Sequence, residues 1–148
     1  IRDSTSNVEG GSTYGYANNA GPHAVTSIGT LTFTYDANGN MKTGNGRTVD
    51  YTTFGKPKNV TKGSHTTTFR YDPNRSRFKR IDAGGTAVST TLYMGSVERI
   101  VEADGELRNR RYVAGSIVTT TTDSPGVTEE LIMLTDHQGS TYALVDRA

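Results

Sequence analysis

Cysteine is absent from the 148-residue chain. Disulfides, thiolate zinc sites and a thiol nucleophile are therefore excluded together. An excess of charge of one sign is also missing, because 16 Lys and Arg stand against 15 Asp and Glu. A net charge of +1 creates no long-range field that would concentrate nucleic acid or an anionic membrane, so we expect no nucleic-acid partner.

Long hydrophobic runs are a third absence. No apolar stretch approaches the roughly 20 residues that a membrane helix needs, so the sequence predicts no membrane span. The first residues, Ile1 to Ser4, contain neither a Met nor the apolar core of a signal peptide. We therefore expect the chain to come from the interior of a longer protein.

The composition favours a thin sheet. Hydrophobic residues make up 32% of the chain, well below the roughly 45–50% typical of a compact domain, a figure that also counts Gly. The difference is made up by 17 Gly and many Thr, and Thr, Tyr and Phe favour half-buried pleated surface over helix. The length predicts one domain without a thick core.

Turn signals recur about every ten residues, which is the spacing of hairpins and not of strand–helix–strand units. Between them apolar and polar residues alternate, as where Leu31, Phe33 and Tyr35 share one face. The signals are Asn38-Gly39-Asn40, Gly44-Asn45-Gly46, Gly55-Lys56-Pro57, Pro73-Asn74, Gly84-Gly85, Asp104-Gly105, Ser124-Pro125-Gly126 and Gln138-Gly139-Ser140. Further strands are predicted for 47–52, 65–72, 77–82, 88–94, 97–102, 106–113, 117–122, 128–136 and 141–146.

The resulting prediction is an all-β fold without helices. The best helix candidate, Val97 to Arg111, is interrupted by Asp104-Gly105 and is better explained as a hairpin. Two segments are predicted, an irregular or edge-like lead-in at 1–26 and a sheet of hairpins at 27–148.

An internal repeat carries most of the functional information. Tyr35-Asp36-Ala37-Asn38-Gly39-Asn40 returns 36 residues later as Tyr71-Asp72-Pro73-Asn74-Arg75-Ser76-Arg77. In such a unit a strand ends in a Tyr that stacks on its equivalent in the next hairpin. The Asp then accepts hydrogen bonds from turn amides, and Asn-Gly tolerates left-handed backbone.

At these residues the sequence resembles the YD-repeat or Rhs-repeat family of bacterial polymorphic toxins, ABC-toxin C components and teneurins. Three further stretches are similar to parts of the family pattern: Gly21-Pro22-His23-Ala24-Val25, Tyr51 to Pro57, and Asp136-His137-Gln138-Gly139-Ser140-Thr141. The second unit departs from the pattern, since Arg75 stands where the family has Gly, and we expect its turn to be wider or to end in a bulge.

The resemblance implies antiparallel β-hairpin repeats that form a curved, open strip of sheet, part of a spiral cocoon around a C-terminal toxin or effector. It implies flanking repeats of the same protein and an encapsulated toxin domain as partners, no cofactor, and a secreted or cell-surface bacterial location. The structural motif residues are Tyr35, Asp36, Gly39, Asn40, Tyr71, Asp72, Arg77, Asp136, His137, Gly139 and Ser140. The chain stops before the family's cleavage site and toxin domain, so neither activity is assigned to it.

Catalysis has one superficial candidate. Asp136 and His137 adjoin each other near Ser140, as in a hydrolase triad. Adjacent residues at a strand end point to opposite faces, whereas a triad needs convergent side chains, so a turn capped by Asp136 is the better interpretation. No metal site is predicted, since His23 and His65 have no ligand spacing. The sequence therefore predicts a protein that is not an enzyme.

A carbohydrate or cell-surface binding module is the alternative function. It would use exposed Tyr and Arg, and the exposure of Tyr14, Tyr16, Tyr93 and Tyr112 discriminates it from a wall. The basic residues between Arg70 and Arg80 do not form one stripe, because alternation puts Arg77 and Lys79 opposite Phe78 and Arg80. The nearby carboxylates Glu98, Glu102, Asp104 and Glu106 are interpreted as outward partners of Arg108, Arg110 and Arg111.

Open edges are the last expectation. An open sheet ends in strands with unpaired N–H and C=O groups. The edge candidates are Ser27 to Asp36 and Thr141 to Asp146, and we expect self-association there when neighbouring repeats are absent.

Overall fold

The computed structural model describes residues 13–16, 20–21, 23–114, 116–121 and 128–146. Within these ranges all regular structure is β-strand and none is helix, so the predicted all-β fold is confirmed. The strands are β1 (Tyr14–Gly15), β2 (Ser27–Ile28), β3 (Leu31–Tyr35), β4 (Met41–Gly44), β5 (Arg47–Tyr51), β6 (Pro57–Lys62), β7 (His65–Tyr71), β8 (Arg77–Gly84), β9 (Ala87–Met94), β10 (Val97–Val101), β11 (Leu107–Val113), β12 (Ser116–Thr121), β13 (Thr128–Thr135) and β14 (Thr141–Asp146).

The chain divides into two units. The first ends at Thr68 and the second begins at Phe69, so β7 contributes residues to both. In each unit the strands are antiparallel and their order in the sheet is their order in the chain. This arrangement is an open series of hairpins, as predicted. None of the described residues belongs to an apolar helix long enough to cross a bilayer.

The predicted strand positions agree with the structure to within about two residues at each end, but four strands were missed. β1 and β2 have two residues each, and the other two are β4 and β6. β4 is only Met-Lys-Thr-Gly, and β6 begins at Pro57 and carries two Lys and an Asn, so neither shows alternation. The Val97 to Arg111 hairpin is confirmed as β10 and β11. The Ser124-Pro125-Gly126 turn and most of the predicted lead-in lie outside the described residues, although β1 falls within that lead-in.

One of the two predicted edges is wrong. β3, which covers most of Ser27 to Asp36, pairs with β2 on one side and with β4 on the other. The sequence could not show this, because β1, β2 and β4 are too short to produce a periodic pattern. β14 pairs with β13 alone among the described residues, so the predicted edge at Thr141 to Asp146 is an outer strand of the second unit.

A row of threonines crosses one face of the first unit. Cross-strand neighbours in an antiparallel sheet share a face, and Thr34, Thr43, Thr48, Thr61 and Thr66 follow one another in register across β3 to β7. The hydroxyls of Thr34 and Thr43 lie 2.6 Å apart and those of Thr61 and Thr66 lie 3.1 Å apart. Threonine therefore serves the sheet through side-chain bonds as well as through its β-branched shape.

A second polar row lies beside the threonines. Asn59 donates from Nδ2 to Asp50 Oδ2 at 3.3 Å and accepts from the Thr68 hydroxyl at 3.1 Å. The three residues are in register across β5, β6 and β7. This face of the first unit is thus polar and internally hydrogen-bonded.

The opposite face holds the buried part of the first unit. Val49 is only 6% exposed and lies in register with Val60. Gly44 is also buried, and a Cβ built on it would overlap the ring of Phe33, its partner on β3. The aromatic ring therefore occupies the space that a side chain at residue 44 would take, a pairing that compensates for glycine inside a strand.

This packing predicts that Gly44→Val destabilises the chain by about 1–3 kcal/mol, because the added side chain must displace the Phe33 ring. Thermal unfolding followed by circular dichroism measures the loss. Thr48→Val, on the opposite face, is the matched control and should change stability by less than about 0.5 kcal/mol.

A double mutant tests whether the Phe33 ring is what a side chain at residue 44 must displace. Gly44→Val should cost clearly less in a Phe33→Ala background than in the wild type. Equal costs in the two backgrounds would show that the ring and the glycine do not compete for space.

Candidate functional site

Five turns share one hydrogen-bonding pattern, which we call the five-residue turn. The first residue donates its backbone N–H to the carbonyl of the fifth at 2.8–2.9 Å, and its carbonyl accepts from the fourth at 2.9–3.0 Å. The turns begin at Asp36, Thr52, Asp72, Glu102 and Asp136. The same local geometry therefore closes hairpins in both units.

The aspartates hold these turns with their side chains. In the turns that begin at Asp36 and Asp136, Oδ1 accepts the backbone N–H groups of the third and fifth residues at 2.8–2.9 Å. At Asp72 the same oxygen accepts from Ser76 at 2.8 Å. Asn40 adds a bond from its Nδ2 to Asp36 Oδ2 at 2.9 Å. The turn role predicted for Asp36, Asp72 and Asp136 is thus visible in the bonds that each carboxylate makes.

Two of the five turns do not begin with Asp. Thr52 replaces the carboxylate with its hydroxyl, which accepts from the Lys56 N–H at 3.0 Å. In the turn that begins at Glu102 the acceptor moves to the third residue, Asp104, whose Oδ1 takes the Glu106 N–H at 2.9 Å. The Tyr-Asp pattern does not identify the turns that begin at Thr52 and Glu102, although each has Gly at its fourth position.

The fourth residue of every five-residue turn has a positive φ. Gly39, as predicted, is at 82°, and Gly139 at 83°. Arg75 adopts 62° although it is not glycine, and the Asp72 turn keeps the same two backbone bonds and the same length. A wider turn or a bulge was expected for the second Tyr-Asp repeat, and the wider turn does not form. The departure costs strain, since a side chain is disfavoured in left-handed backbone by about 1–2 kcal/mol.

Tyrosines connect consecutive turns in the first unit. The Tyr35 hydroxyl donates to the Val25 carbonyl at 2.7 Å, and the Tyr51 hydroxyl donates to the Met41 carbonyl at 2.9 Å. Met41 directly follows the turn that begins at Asp36, so Tyr51 joins its own turn to the one before. Burial raises the pKa of Tyr51, and the negative charge of Asp36 adds to this rise. Tyr71 precedes the Asp72 turn in the same way, and burial raises its pKa too.

The Asp36 turn favours an ionised carboxylate. The Asn40 side chain and the Asn40 backbone N–H are the leading causes that hold the pKa of Asp36 below its usual 3.8. Each of these groups donates to a carboxylate oxygen and would lose an acceptor on protonation. The charge at Asp36 therefore strengthens the hydrogen bonds that hold the turn.

Asp136, His137 and Ser140 do not form a linked triad in the structure. Asp136 Oδ1 is occupied by the backbone amides of Gln138 and Ser140, and no hydrogen bond joins His137 to either neighbour within the described residues. His137 is exposed at the second position of the turn. The described residues also include no group of three His, Asp or Glu placed to hold a metal ion.

Arginines and tyrosines meet in a groove on the second unit. The Arg77 guanidinium lies 4.6 Å from the ring centroid of Tyr93 and 5.4 Å from that of Phe69. Arg80 lines the same groove, so the predicted placement of Arg77 and Arg80 on opposite faces is wrong. Arg77 is the first residue of β8 and directly follows the Asp72 turn, so alternation along the strand does not fix which rings its side chain reaches.

Ion pairs fill the rest of this groove. Arg110 lies opposite Glu98 and pairs with it at 3.5 Å, and Arg108 pairs with Glu106 at 2.8 Å and with Glu102 at 3.7 Å. The prediction that these carboxylates face the arginines is confirmed for Arg108 and Arg110. It is wrong for Arg111, which is in register with Val97 and Val118 and so points to the other face. Arg108 and Arg110 thus each have a carboxylate beside them, and the arrangement is suited to holding the sheet surface in place.

Three of the four tyrosines named as markers of glycan binding have covered or half-buried rings. Tyr93 carries the Arg77 guanidinium on its ring, and Tyr14 and Tyr112 are half-buried. Tyr16 is exposed. Tyr142, which the sequence analysis did not single out, is 84% exposed on the outer strand β14. A flat platform of exposed rings is therefore not assembled from the four markers.

No protein-family model matches this chain, and no curated protein matches it.

The turn geometry predicts the effect of a single substitution. Gly39→Val should lower the free energy of unfolding by about 1–3 kcal/mol, because valine is strained at positive φ. No atom outside the adjacent residues lies within 4 Å of a Cβ built there, so backbone strain and not crowding is the cause. Denaturant unfolding measures the change.

Two matched variants isolate the strain. Ala37→Val adds a similar side chain to the same turn and should be nearly neutral, and Gly39→Asn should cost less than Gly39→Val, because Asn tolerates left-handed backbone. The turn assignment is contradicted if Gly39→Val unfolds at the same denaturant concentration as the wild type.

Proposed function

We propose that this chain is a wall segment of a YD-repeat or Rhs-repeat shell, which encloses a toxin or effector polypeptide for export and delivery. The carrying observation is the five-residue turn, repeated five times in a series of hairpins that pair only in chain order. Such a series lengthens by adding hairpins, which is how a wall of any size is built. On this proposal the protein is bacterial and secreted or cell-surface.

The small interior supports a wall more than a closed domain. Val49 and Ile117 are the buried hydrophobic residues among those described, and twelve large hydrophobic residues are at least 38% exposed. A domain that works alone buries most such side chains against a second layer. A wall leaves both faces available, one to the contents and one to the surroundings.

The charge pattern also favours a structural role. Arg80 pairs with Asp82 at 2.6 Å, and Arg108 and Arg110 have the carboxylate partners described above. Catalytic carboxylates and bases face a substrate across a cleft, whereas these groups neutralise one another on the sheet surface. We therefore propose no enzymatic activity and no cofactor for the segment.

The alternative of a glycan-binding module has less support. Sugar-binding platforms use exposed aromatic faces, and the Tyr93 ring is already covered by Arg77. Tyr16 and Tyr142 remain as exposed rings, at 44% and 84%. A titration with oligosaccharides that shifted the fluorescence of these tyrosines would revive the alternative.

The shell is tested on the intact gene product that contains this chain. We expect limited proteolysis to leave a non-repeat segment undigested in the native protein. Combining Gly39→Val with Gly139→Val should open the wall and expose that segment, whereas Ala37→Val should leave it protected. Mass spectrometry of the fragments identifies which segment is cut.

Two results would contradict the proposal. One is a gene product with no segment besides the hairpin repeats. The other is digestion of that segment at the same rate in the native protein and in the double variant, while the strands of the native wall stay intact.

A further inference from the structure

The two faces of the second unit differ in polarity. Residues that are paired across antiparallel strands share a face, so the registers from β8 to β14 assign the paired side chains to one face or the other. One face, here called the apolar face, carries exposed large hydrophobic side chains on five of these strands. They are Val88, Met94, Val101, Val113, Ile132, Leu134 and Val145, with exposures from 38% for Ile132 to 52% for Met94.

The opposite face, here called the ion-paired face, covers its own side chains. Thr91 lies between Arg80 and Ile100 in register and is 9% exposed. Thr119, between Arg110 and Glu129, is 7% exposed. Long side chains lie across these short ones and shield them from water. Leu144, on the outer strand, is an exposed apolar residue that its pairing with Met133 assigns to this face.

Charges are divided between the faces as well. The ion pairs of Arg80, Arg108 and Arg110 all lie on the ion-paired face. The apolar face holds Lys79, Arg99 and Arg111, and none of these three has an ion pair or hydrogen bond with a described residue. Its one carboxylate among the described residues is Glu130. The apolar face is therefore positive and has cations available to a partner.

A hollow marks where a partner would fit. The lining of a depression of about 430 Å³ on the apolar face includes Val97, Arg111, Val113, Val118, Thr120 and the carboxylate of Glu130. Valine side chains supply the apolar contacts, and Arg111 supplies a donor for a carboxylate. A hollow that combines apolar surface with a few polar groups is typical of binding sites.

We propose that the apolar face binds an extended polypeptide segment in which apolar and acidic residues alternate. An extended chain points its side chains alternately to its two sides, so both residue types come at regular intervals. The apolar side chains of the bound segment would cover the exposed hydrophobic residues of the apolar face. The carboxylates of the segment would pair with Arg99 and Arg111. This inference rests on the proposed function for the source of the segment, which is the enclosed cargo.

Two other occupants fit the face less well. A second copy of the chain would bring the same three cations against this face, and like charges across an interface repel. A membrane surface is favoured by aromatic residues at the interface, and none of the seven exposed hydrophobic residues named above for the apolar face is aromatic. The charge and the side-chain types together select an acidic, apolar polypeptide.

The test is a binding assay with the full chain and dye-labelled peptides. One peptide alternates Leu or Val with Glu, and its partner carries Lys in place of each Glu. Fluorescence anisotropy should show binding of the acidic peptide and weaker binding of the basic one. Arg99→Gln with Arg111→Gln should weaken the acidic peptide about three- to tenfold, as expected for two exposed charge pairs.

A matched variant controls for charge and folding. Arg80→Gln with Arg110→Gln removes two positive charges from the ion-paired face and should leave the peptide affinity within about twofold, while circular dichroism verifies the sheet in both variants. Equal loss in both double variants, or equal binding of the two peptides, would overturn the proposal. Binding to anionic lipid vesicles but to neither peptide would also overturn it, in favour of a membrane partner.

Self-association is distinguished by sedimentation. If Val101→Thr with Val113→Thr abolished a dimer and left the acidic-peptide affinity unchanged, a second copy would be the occupant and the proposal would fail. The assay is independent of the protease test. If a segment is protected from protease but the chain does not prefer the acidic peptide, the peptide-binding proposal fails and the shell stands. If the chain prefers the acidic peptide but no segment is protected, the shell fails and the peptide-binding proposal stands.

Discussion

A strand that contacts only its chain neighbours cannot bury its side chains against a second layer, and most features of the molecule follow from that constraint. Within each unit the strands meet only the strands beside them. Burial then has to come from the same face of the adjacent strand. Phe33 over Gly44 and the long side chains over Thr119 are two solutions to this problem.

With so little interior, register has to be fixed locally. A slip of one residue would exchange the two faces of a strand. The five-residue turn prevents this, because backbone bonds and a side-chain acceptor define where each hairpin reverses. At Asp36, at Thr52 and at Asp136 the ladder shifts just before the turn, which accommodates one extra residue in the following strand. Tyr51 then ties its strand to the start of β4.

Alternation and glycine spacing were sufficient to predict ten of the fourteen strands and most turns, because both are local properties. The Asp36 and Asp136 turns were found from Tyr-Asp and Gln-Gly alone. The bond from Tyr51 to Met41 could not be predicted, since it depends on which carbonyl the register brings near the hydroxyl. Arg77 was placed on the wrong face because a long side chain at a strand end is not bound by alternation. The polarity of the two faces in the second unit also needed the registers of several strands.

The proposed wall is tested most directly by cysteine labelling of the intact protein. This chain contains no cysteine, and any cysteine elsewhere in the protein is first replaced by serine. Single cysteines would replace Val101 and Val113 on the apolar face, and Thr121 and Glu129 on the ion-paired face. A wall around a cargo predicts that a large polyethylene-glycol maleimide modifies the ion-paired face and spares the apolar face, and that unfolding the protein makes all four positions equal. Equal modification of the two faces in the native protein would contradict it.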